Sequence, residues 1–152
     1  MTSQWNSTEE ILDFAIKNEE RAAQFYTDLA GKMDSGAMGE VFEEFAKEEQ
    51  RHKAKLLGVK QSGTMEPASG AVLDLKIGDY LVDAEPGPDM DYQDALILAM
   101  KQEKAAFKLY TDLAAATSEA ALRALLLGLA QEEAKHKLRF EVEYDEQILT
   151  EN

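Results

Sequence analysis

The two histidines of the chain stand at matching places in two similar segments. The segment AKEEQRHK contains His52 and the segment AQEEAKHK contains His136, and each histidine follows a glutamate, Glu49 or Glu133, by three residues. Residues three apart on an α-helix lie on one face, so each pair can direct a carboxylate and an imidazole to one point. Imidazole and carboxylate groups together are ligands for divalent transition metals.

These segments belong to a longer internal repeat. A shift of 84 residues lays AIKNEERAAQFYTDLA (15–30) on AMKQEKAAFKLYTDLA (99–114), and nine of the sixteen positions match. The same shift superposes the two histidine segments. One spacing kept over so long a span indicates a duplicated unit.

Each repeat unit predicts two helices, because its runs are rich in Ala, Glu, Leu and Lys. The first hairpin is expected over about 8–57 and the second over about 91–149. Ser7 with Glu10 makes a capping box for the first helix, and Gly58 is a plausible stop for the second. The sequence therefore predicts an all-α fold.

The segment 58–90 between the hairpins holds all three prolines and five of the nine glycines. Within it, AVLDLKIGDYLV (71–82) is expected to be extended or briefly helical. So long a connector argues against an up-down-up-down bundle, in which loops are short. It can instead carry the chain back along a helix of about 30 Å.

Ionisable residues lie inside the apolar stripes of the predicted helices. Each stripe advances by alternating steps of three and four residues, which is the pattern of a helix face packed in a core. The four stripes are Ala15, Glu19, Ala22, Tyr26, Leu29; Phe42, Phe45, Glu49, His52, Leu56; Ala99, Glu103, Ala106, Tyr110, Leu113; and Leu126, Leu129, Glu133, His136, Phe140. Four glutamates and two histidines are thus predicted to face the core.

The register of the hairpins predicts that these six residues meet. In an antiparallel hairpin, residues equidistant from the turn lie side by side. The midpoints of the two glutamate pairs fall at Asp34 and Ser118, both in predicted turns. The predicted neighbours are Glu19 with Glu49 and His52, and Glu103 with Glu133 and His136. Two hairpins packed about a pseudo-twofold axis would bring all six to mid-bundle.

A buried cluster of this kind needs a positive partner, since each bare buried ion costs several kcal/mol. The four carboxylates carry about four negative charges, which two divalent cations would neutralise while the imidazoles bind as neutral ligands. Oxygen and imidazole ligands suit iron or manganese, and zinc would also bind. The alternative, a solvated acidic face or structural salt bridges, fits poorly with the core position and the duplication.

Composition narrows the class of protein. The chain has 16 basic and 30 acidic residues and a net charge of −14, which disfavours nucleic acid or an anionic membrane as a partner. It has no cysteine, so disulfides and thiolate metal sites are excluded. No stretch approaches the ~20 apolar residues of a membrane span. We expect a soluble cytoplasmic protein.

At these residues the chain resembles the ferritin-like di-iron carboxylate proteins, whose four-helix bundle combines two single glutamates with two Glu-x-x-His pairs. Here EEQRH and EEAKH supply the pairs, and KNEERAAQFY and KQEKAAFKLY supply the single glutamates. Within that superfamily the chain most resembles the rubrerythrin-like family, over about 8–57 and 91–149. The resemblance implies a ferritin-like bundle, with two iron ions as cofactors.

The resemblance also implies a role for each site residue. Glu49 and Glu133 would bridge the metals. The end ligands would be Glu19 and His52 on one metal, and Glu103 and His136 on the other. We further expect Glu48 to hydrogen-bond His136 and Glu132 to hydrogen-bond His52, although both acids are also compatible with surface ion pairs. Tyr26 and Tyr110 are expected beside the ligand carboxylates, in a catalytic or a packing role.

Two departures from the family pattern bear on the reaction. Typical rubrerythrins carry a further glutamate three residues after the single glutamate of the third helix, and here that position is Ala106. Efficient peroxidase turnover is therefore in question. Many members also carry a four-cysteine rubredoxin domain, so this cysteine-free chain would need a separate electron-donor protein.

The resemblance implies a di-iron oxidoreductase that reduces hydrogen peroxide or O2, working as a peroxidase or ferroxidase. Two alternatives stay open: an iron-binding or storage protein without catalysis, and a structural zinc or manganese site. We expect a homodimer. A mineral store would instead need a closed shell of many subunits.

Overall fold

The structure is a computed structural model that describes residues 8–62 and 90–151. It contains four helices and, in these ranges, no strand: α1 (Thr8–Lys32), α2 (Gly36–Ser62), α3 (Tyr92–Ala116) and α4 (Ala120–Glu151). The predicted all-α class is confirmed. None of these helices is both long and apolar enough to cross a membrane.

Short turns join α1 to α2 and α3 to α4, and each pair packs as an antiparallel hairpin. At the first turn the Met33 amide donates to the Ala30 carbonyl at 3.3 Å, and the Ala37 amide donates to Ser35 Oγ at 3.2 Å. The helices approach closely at Gly39, where a Cβ would lie 3.2 Å from the Ala30 carbonyl oxygen. A glycine at this position lets α2 pack directly against the end of α1.

The second hairpin is held at both of its helix starts by polar contacts. Asp91 caps α3, because its side chain accepts a hydrogen bond of 2.8 Å from the Asp94 amide. In the turn before α4, Thr117 Oγ1 accepts from the Glu119 amide at 3.1 Å. Arg123 of α4 then donates to the Thr117 carbonyl at 2.7 Å and to the Ala114 carbonyl at 3.4 Å, and so satisfies two carbonyls at the end of α3.

The helix directions follow from two apolar clusters at opposite ends of the bundle. One cluster joins Leu56, near the end of α2, to Leu109 and Leu113, near the end of α3. The other joins Phe42, near the start of α2, to Leu96, near the start of α3. Helices α2 and α3 are therefore parallel, and the end of α2 and the start of α3 lie at opposite ends of the bundle.

This arrangement is not up-down-up-down, as the long connector predicts, and it is the ferritin-like bundle that the resemblance implies. The middle of that connector, residues 63–89, lies outside the described residues, and so does the patch expected over 71–82. Ser7 of the predicted capping box lies outside them too.

Helix α2 differs from its predicted end. It passes through Gly58 and continues to Ser62. Leu57 and Val59 pack against the apolar cluster at that end, and Lys60 forms an ion pair of 2.5 Å with Asp13 of α1. These contacts outweigh the ~1 kcal/mol that a glycine costs inside a helix.

Candidate metal centre

The six residues predicted as metal ligands lie together between the two apolar clusters. Helices α1 and α3 each contribute a single glutamate, and α2 and α4 each contribute a Glu-x-x-His pair. All six are buried, with exposed fractions between 0% and 6%: Glu19, Glu49, His52, Glu103, Glu133 and His136. Their role as ligands stays a prediction that the geometry below supports.

The cluster divides into two groups of four residues that share two members. One group is Glu19, Glu49, His52 and Glu133, and the other is Glu49, Glu103, Glu133 and His136. Within each group, one ligand atom per residue lies within 4.8 Å of all the others. That Glu49 and Glu133 belong to both groups supports the prediction that they would bridge two metals.

Both imidazoles direct Nδ1 toward the carboxylates. Nδ1 of His52 lies 3.4 Å from Glu19, 3.2 Å from Glu49 and 3.0 Å from Glu133. Nδ1 of His136 lies 3.6 Å from Glu103 and 3.8 Å from both Glu49 and Glu133. The two rings are nearly parallel, with their centroids 5.7 Å apart. A histidine that binds a metal through Nδ1 carries its remaining proton on Nε2, which here faces outward.

Two tyrosines cross between α1 and α3 to reach the single glutamates. Tyr26 of α1 donates a hydrogen bond to Oε1 of Glu103 on α3, and Tyr110 of α3 donates to Oε1 of Glu19 on α1. Each phenol thus occupies one carboxylate oxygen and leaves the other facing the cluster. Both phenols are fully buried, as expected of side chains that also pack the core.

The buried polar atoms without hydrogen-bond partners indicate which kind of ligand the cluster can bind. Among the described residues, nine buried side-chain nitrogen or oxygen atoms have no hydrogen-bond partner, and only Asn18 Nδ2 lies outside the six residues. The other eight are Glu19 Oε2, both oxygens of Glu49, His52 Nδ1, Glu103 Oε2, both oxygens of Glu133 and His136 Nδ1. Buried polar groups are seldom left unpaired. Two divalent cations would satisfy all eight, each with one nitrogen and three oxygens, so the residues fit the metals that the sequence predicts.

Burial raises the pKa of three carboxyl groups in the cluster. Burial raises the pKa of Glu19 and raises that of Glu133 well above its usual range. Burial, with the nearby charges of Glu19 and Glu103, raises the pKa of Glu49 to about 8. Desolvation by neighbouring protein atoms thus disfavours the negative charges unless a positive partner is present.

Burial lowers the pKa of an imidazole, whereas it raises the pKa of a carboxyl group. Burial alone would lower the pKa of His52, but its contacts with Glu19 and Glu49 outweigh this and raise the pKa to about 10. The pKa of His136 is raised as well, since its contacts with Glu103 and other carboxylates outweigh burial. Divalent cations would have to displace these protons.

Glu48 makes the contact expected of it. Its carboxylate lies 2.5 Å from Nε2 of His136, on the outer side of the ring. Partial burial would raise the pKa of Glu48, but the hydrogen bond to His136 and the charges of Arg139 and Arg51 lower it overall. Glu48 is therefore an ionised acceptor that can orient the ring of His136.

The matching contact between Glu132 and His52 is absent, because no hydrogen bond or ion pair joins these two described residues. The surroundings of the two acids differ. Arg51 and Arg139 accompany Glu48. Under the 84-residue shift, the residues equivalent to these two arginines are Lys135 and Lys55, which accompany Glu132. The expectation of two symmetric outer contacts is thus correct on one side of the centre only.

Sequence reasoning missed an aromatic layer beside His136. The Phe45 ring meets the His136 ring edge-on at 4.9 Å and stacks on Phe140 at 4.0 Å, while Arg139 lies 4.5 Å above Phe45. The repeat holds the signal that would have identified this layer. Under the 84-residue shift, Phe45 corresponds to Leu129 and Phe140 corresponds to Leu56. The two halves therefore differ in aromatic content at these positions.

Ala106 is buried in α3, one turn after Glu103. Its methyl group provides no ligand, and neither group of four contains a further carboxylate at this position. The departure from the pattern that the resemblance implies therefore lies at a buried position of α3, three residues after Glu103.

Comparison with known proteins agrees with this geometry. The sequence profile of the Rubrerythrin family matches residues 10–144. A hypothetical protein from Pyrococcus furiosus is 30% identical, with a TM-score of 0.64, and the match covers 90% of this chain and 87% of that one.

The fold is also that of an uncharacterised conserved protein from Magnetospirillum magnetotacticum, at 22% identity and a TM-score of 0.73, with 91% of this chain and 94% of the other covered. No curated protein matches the chain. The family match spans both hairpins and all six clustered residues, and the chain belongs to the rubrerythrin family.

Proposed function

We propose that the protein is a di-iron carboxylate oxidoreductase that reduces hydrogen peroxide or O2. The observation that carries this proposal is the set of eight partnerless ligand atoms, arranged as two groups that share Glu49 and Glu133. Iron suits a donor set of carboxylates and imidazoles without thiolates. Membership of the rubrerythrin family supports iron over the other metals that such a site accepts.

Two ferrous ions, when bound, supply one electron each to an oxidant. Reduction of hydrogen peroxide then consumes two electrons and two protons and releases two molecules of water, and reduction of O2 by two electrons and two protons releases hydrogen peroxide. The chain has no cysteine, so we infer that the electrons are restored by a separate donor protein.

The residues around the ligands hold the centre in place. Tyr26 and Tyr110 fix the orientation of Glu103 and Glu19 through their hydrogen bonds. Burial, with the charges of nearby carboxylates, raises the pKa of both phenols well above its usual range. They therefore remain protonated donors at neutral pH and act as positioning residues.

The apolar clusters on either side limit access of water to the centre. Leu109, Leu113 and Leu126 lie on one side, and Phe42, Phe45 and Phe140 lie on the other, all fully or almost fully buried. A dry surrounding strengthens the attraction between the carboxylates and bound cations. It also favours a small, uncharged oxidant over a large substrate.

Ala106 bears on the choice of reaction. Where the family pattern has another carboxylate, this chain has the methyl group of Ala106, so a bound iron would lack that further ligand when its oxidation state changes. We infer that peroxide turnover is slower than in relatives with that carboxylate, and that O2 is a competing oxidant.

Rapid mixing of the ferrous protein with oxidant tests this function. The protein is loaded anaerobically with two equivalents of ferrous iron and mixed with either hydrogen peroxide or air-saturated buffer, and the near-UV absorbance of the oxidised centre is followed. We expect oxidation much faster than that of free ferrous iron, and faster than in the double variant His52→Ala, His136→Ala. Equal rates for the protein and for free iron would refute the proposal.

Two further measurements separate the alternatives. Size-exclusion chromatography distinguishes the expected homodimer from a closed shell of many subunits, which a mineral store requires. Metal analysis of protein purified without added metal distinguishes iron from a structural zinc or manganese site. A dimer that holds iron is the result that the proposal predicts.

A further inference from the structure

We propose that the two metal positions are unequal: the position of Glu103 and His136 binds a divalent cation more tightly than that of Glu19 and His52, and Glu48 is the positioning residue that makes the difference. This inference rests on the metal centre of the proposed function. It concerns the relative affinity of the two positions, which neither the duplication nor the shared bridging glutamates would predict.

The first observation is that, among contacts between described residues, only His136 is held by a carboxylate from its outer side. Nε2 of His136 lies 2.5 Å from the Glu48 carboxylate. His52 has no such contact with Glu132, its counterpart in the repeat. A carboxylate behind a ligand histidine fixes the tautomer and the ring orientation and makes the imidazole a stronger donor. Both histidines direct Nδ1 toward the carboxylates, but only the ring of His136 is also fixed from its outer side by Glu48.

The second observation is the packing around the two rings. The edge-on contact with Phe45 restricts His136 from the side, and Phe45 is itself fixed between Phe140 and Arg139. The side chain of His136 is 2% exposed, against 8% for that of His52. At the equivalent positions, the repeat has the leucines Leu129 and Leu56. The ring of His136 therefore loses less conformational freedom on binding.

The third observation is the charge that surrounds Glu48. Arg51 follows Glu48 by three residues on α2, and Arg139 lies over the ring of Phe45 at 4.5 Å, beside His136. Both carry planar guanidinium groups that remain charged at any pH of interest. Their equivalents beside Glu132 are Lys135 and Lys55, both exposed. The acid that contacts its histidine, Glu48, is therefore the one whose basic neighbours are arginines rather than lysines.

Titration of metal-free protein with Co²⁺ tests the inference, because the visible absorption of Co²⁺ reports its coordination and calorimetry reports its affinity. We expect the wild type to bind two Co²⁺ ions in two resolved steps. Glu48→Ala should weaken the tighter step about 10- to 100-fold, the usual effect of removing an outer partner of a ligand histidine. Glu48→Gln, which keeps a neutral acceptor, should recover part of that loss.

The repeat provides the matched control. Glu132→Ala removes the equivalent side chain from the other half, and we expect it to change either step by less than about twofold, as for a group without a contact to the ligand. Single histidine variants assign the steps: His52→Ala should retain one tightly bound Co²⁺, and His136→Ala should lose it.

The outcomes separate this inference from the proposed function. Two equal binding steps in the wild type, or equal effects of Glu48→Ala and Glu132→Ala, would overturn the inequality and leave the metal centre intact. A wild type that binds no Co²⁺ would overturn both the inequality and the metal centre. Circular dichroism of each variant shows that its helices are retained, since Glu48 is partly exposed and does not belong to the core.

Discussion

The phenol of Tyr26 on α1 donates a hydrogen bond to Glu103 on α3, 77 positions along the chain, and so joins the two hairpins at the centre of the bundle. Tyr110 makes the reciprocal bond from α3 to Glu19 on α1. Each single glutamate is therefore held by a tyrosine from the opposite hairpin. These two bonds couple the assembly of the bundle to the orientation of the ligands.

Tyr26→Phe should destabilise the protein, because one buried oxygen of Glu103 loses its donor while the ring still fills the core. The expected loss is about 1–3 kcal/mol in the free energy of unfolding, the usual cost of a buried polar group left unpaired. Urea unfolding of the metal-free protein measures it. Tyr110→Phe is the matched variant and should behave alike, since Glu19 loses its donor in the same way. If both variants unfold at the wild-type midpoint with unchanged slope, the bonds contribute nothing to stability.

Replacing both histidines, His52→Ala with His136→Ala, should abolish tight binding of two metals. Each position then keeps only carboxylate oxygens, and the two imidazole nitrogens that face the cluster are lost. Equilibrium dialysis followed by metal analysis gives the stoichiometry per chain. Glu43→Ala, which removes an exposed acid from the same helix as His52, serves as the control and should retain two metals. Retention of both metals in the double variant would contradict the ligand assignment.

Metal binding should release protons and become tighter as the pH rises. Burial raises the pKa of Glu49 to about 8, and contacts with Glu19 and Glu49 raise that of His52 to about 10 despite its burial. At neutral pH the metal-free centre therefore retains protons that a cation must displace, so affinity should increase between about pH 6 and 8 and continue to increase toward pH 10.

Calorimetric titration with Mn²⁺ in buffers of different ionisation enthalpy counts these protons. The measured heat should change with the buffer, by an amount that corresponds to at least about one proton released per protein. The double histidine variant should show a smaller change. Heats that are identical in all buffers would mean that the metal-free centre is already deprotonated.

Helical periodicity explains why so much of the centre could be predicted from sequence. The spacing of three between Glu49 and His52, and its repetition at Glu133 and His136, determines which face of each helix carries the ligands. Turn midpoints then determine the register of each hairpin. Neither inference needs knowledge of side-chain conformations, and the six residues meet in the structure as both predict.

The outer contacts could not be predicted in the same way. Glu48 and Glu132 occupy identical positions in the repeat, yet of these two acids only Glu48 contacts a histidine of the cluster. That difference depends on local charges and on aromatic packing, which vary between the halves even where the backbone is duplicated. The end of α2 could not be predicted for a similar reason. Lys60 forms an ion pair with Asp13 of α1, and local helix propensity does not report contacts between helices.

Alanine substitutions at two glycines of α2, Gly58 and Gly39, should change the stability of the protein in opposite directions. Gly58 is exposed inside the helix, and a Cβ there would meet nothing within 4 Å. Gly58→Ala should therefore stabilise the protein by about 0.5–1 kcal/mol, since alanine loses less conformational freedom in a helix. Gly39→Ala should destabilise it, because the new Cβ would lie 3.2 Å from the Ala30 carbonyl oxygen, a backbone atom that cannot easily move.

Thermal or urea unfolding of both variants, compared with Gly128→Ala, measures the difference. Gly128 lies exposed within α4 with the same open space, so its alanine variant should gain about as much as Gly58→Ala. A loss of stability in Gly58→Ala alone would indicate that α2 ends at that glycine after all. A gain in Gly39→Ala would indicate that α1 and α2 are further apart at their turn than the structure shows.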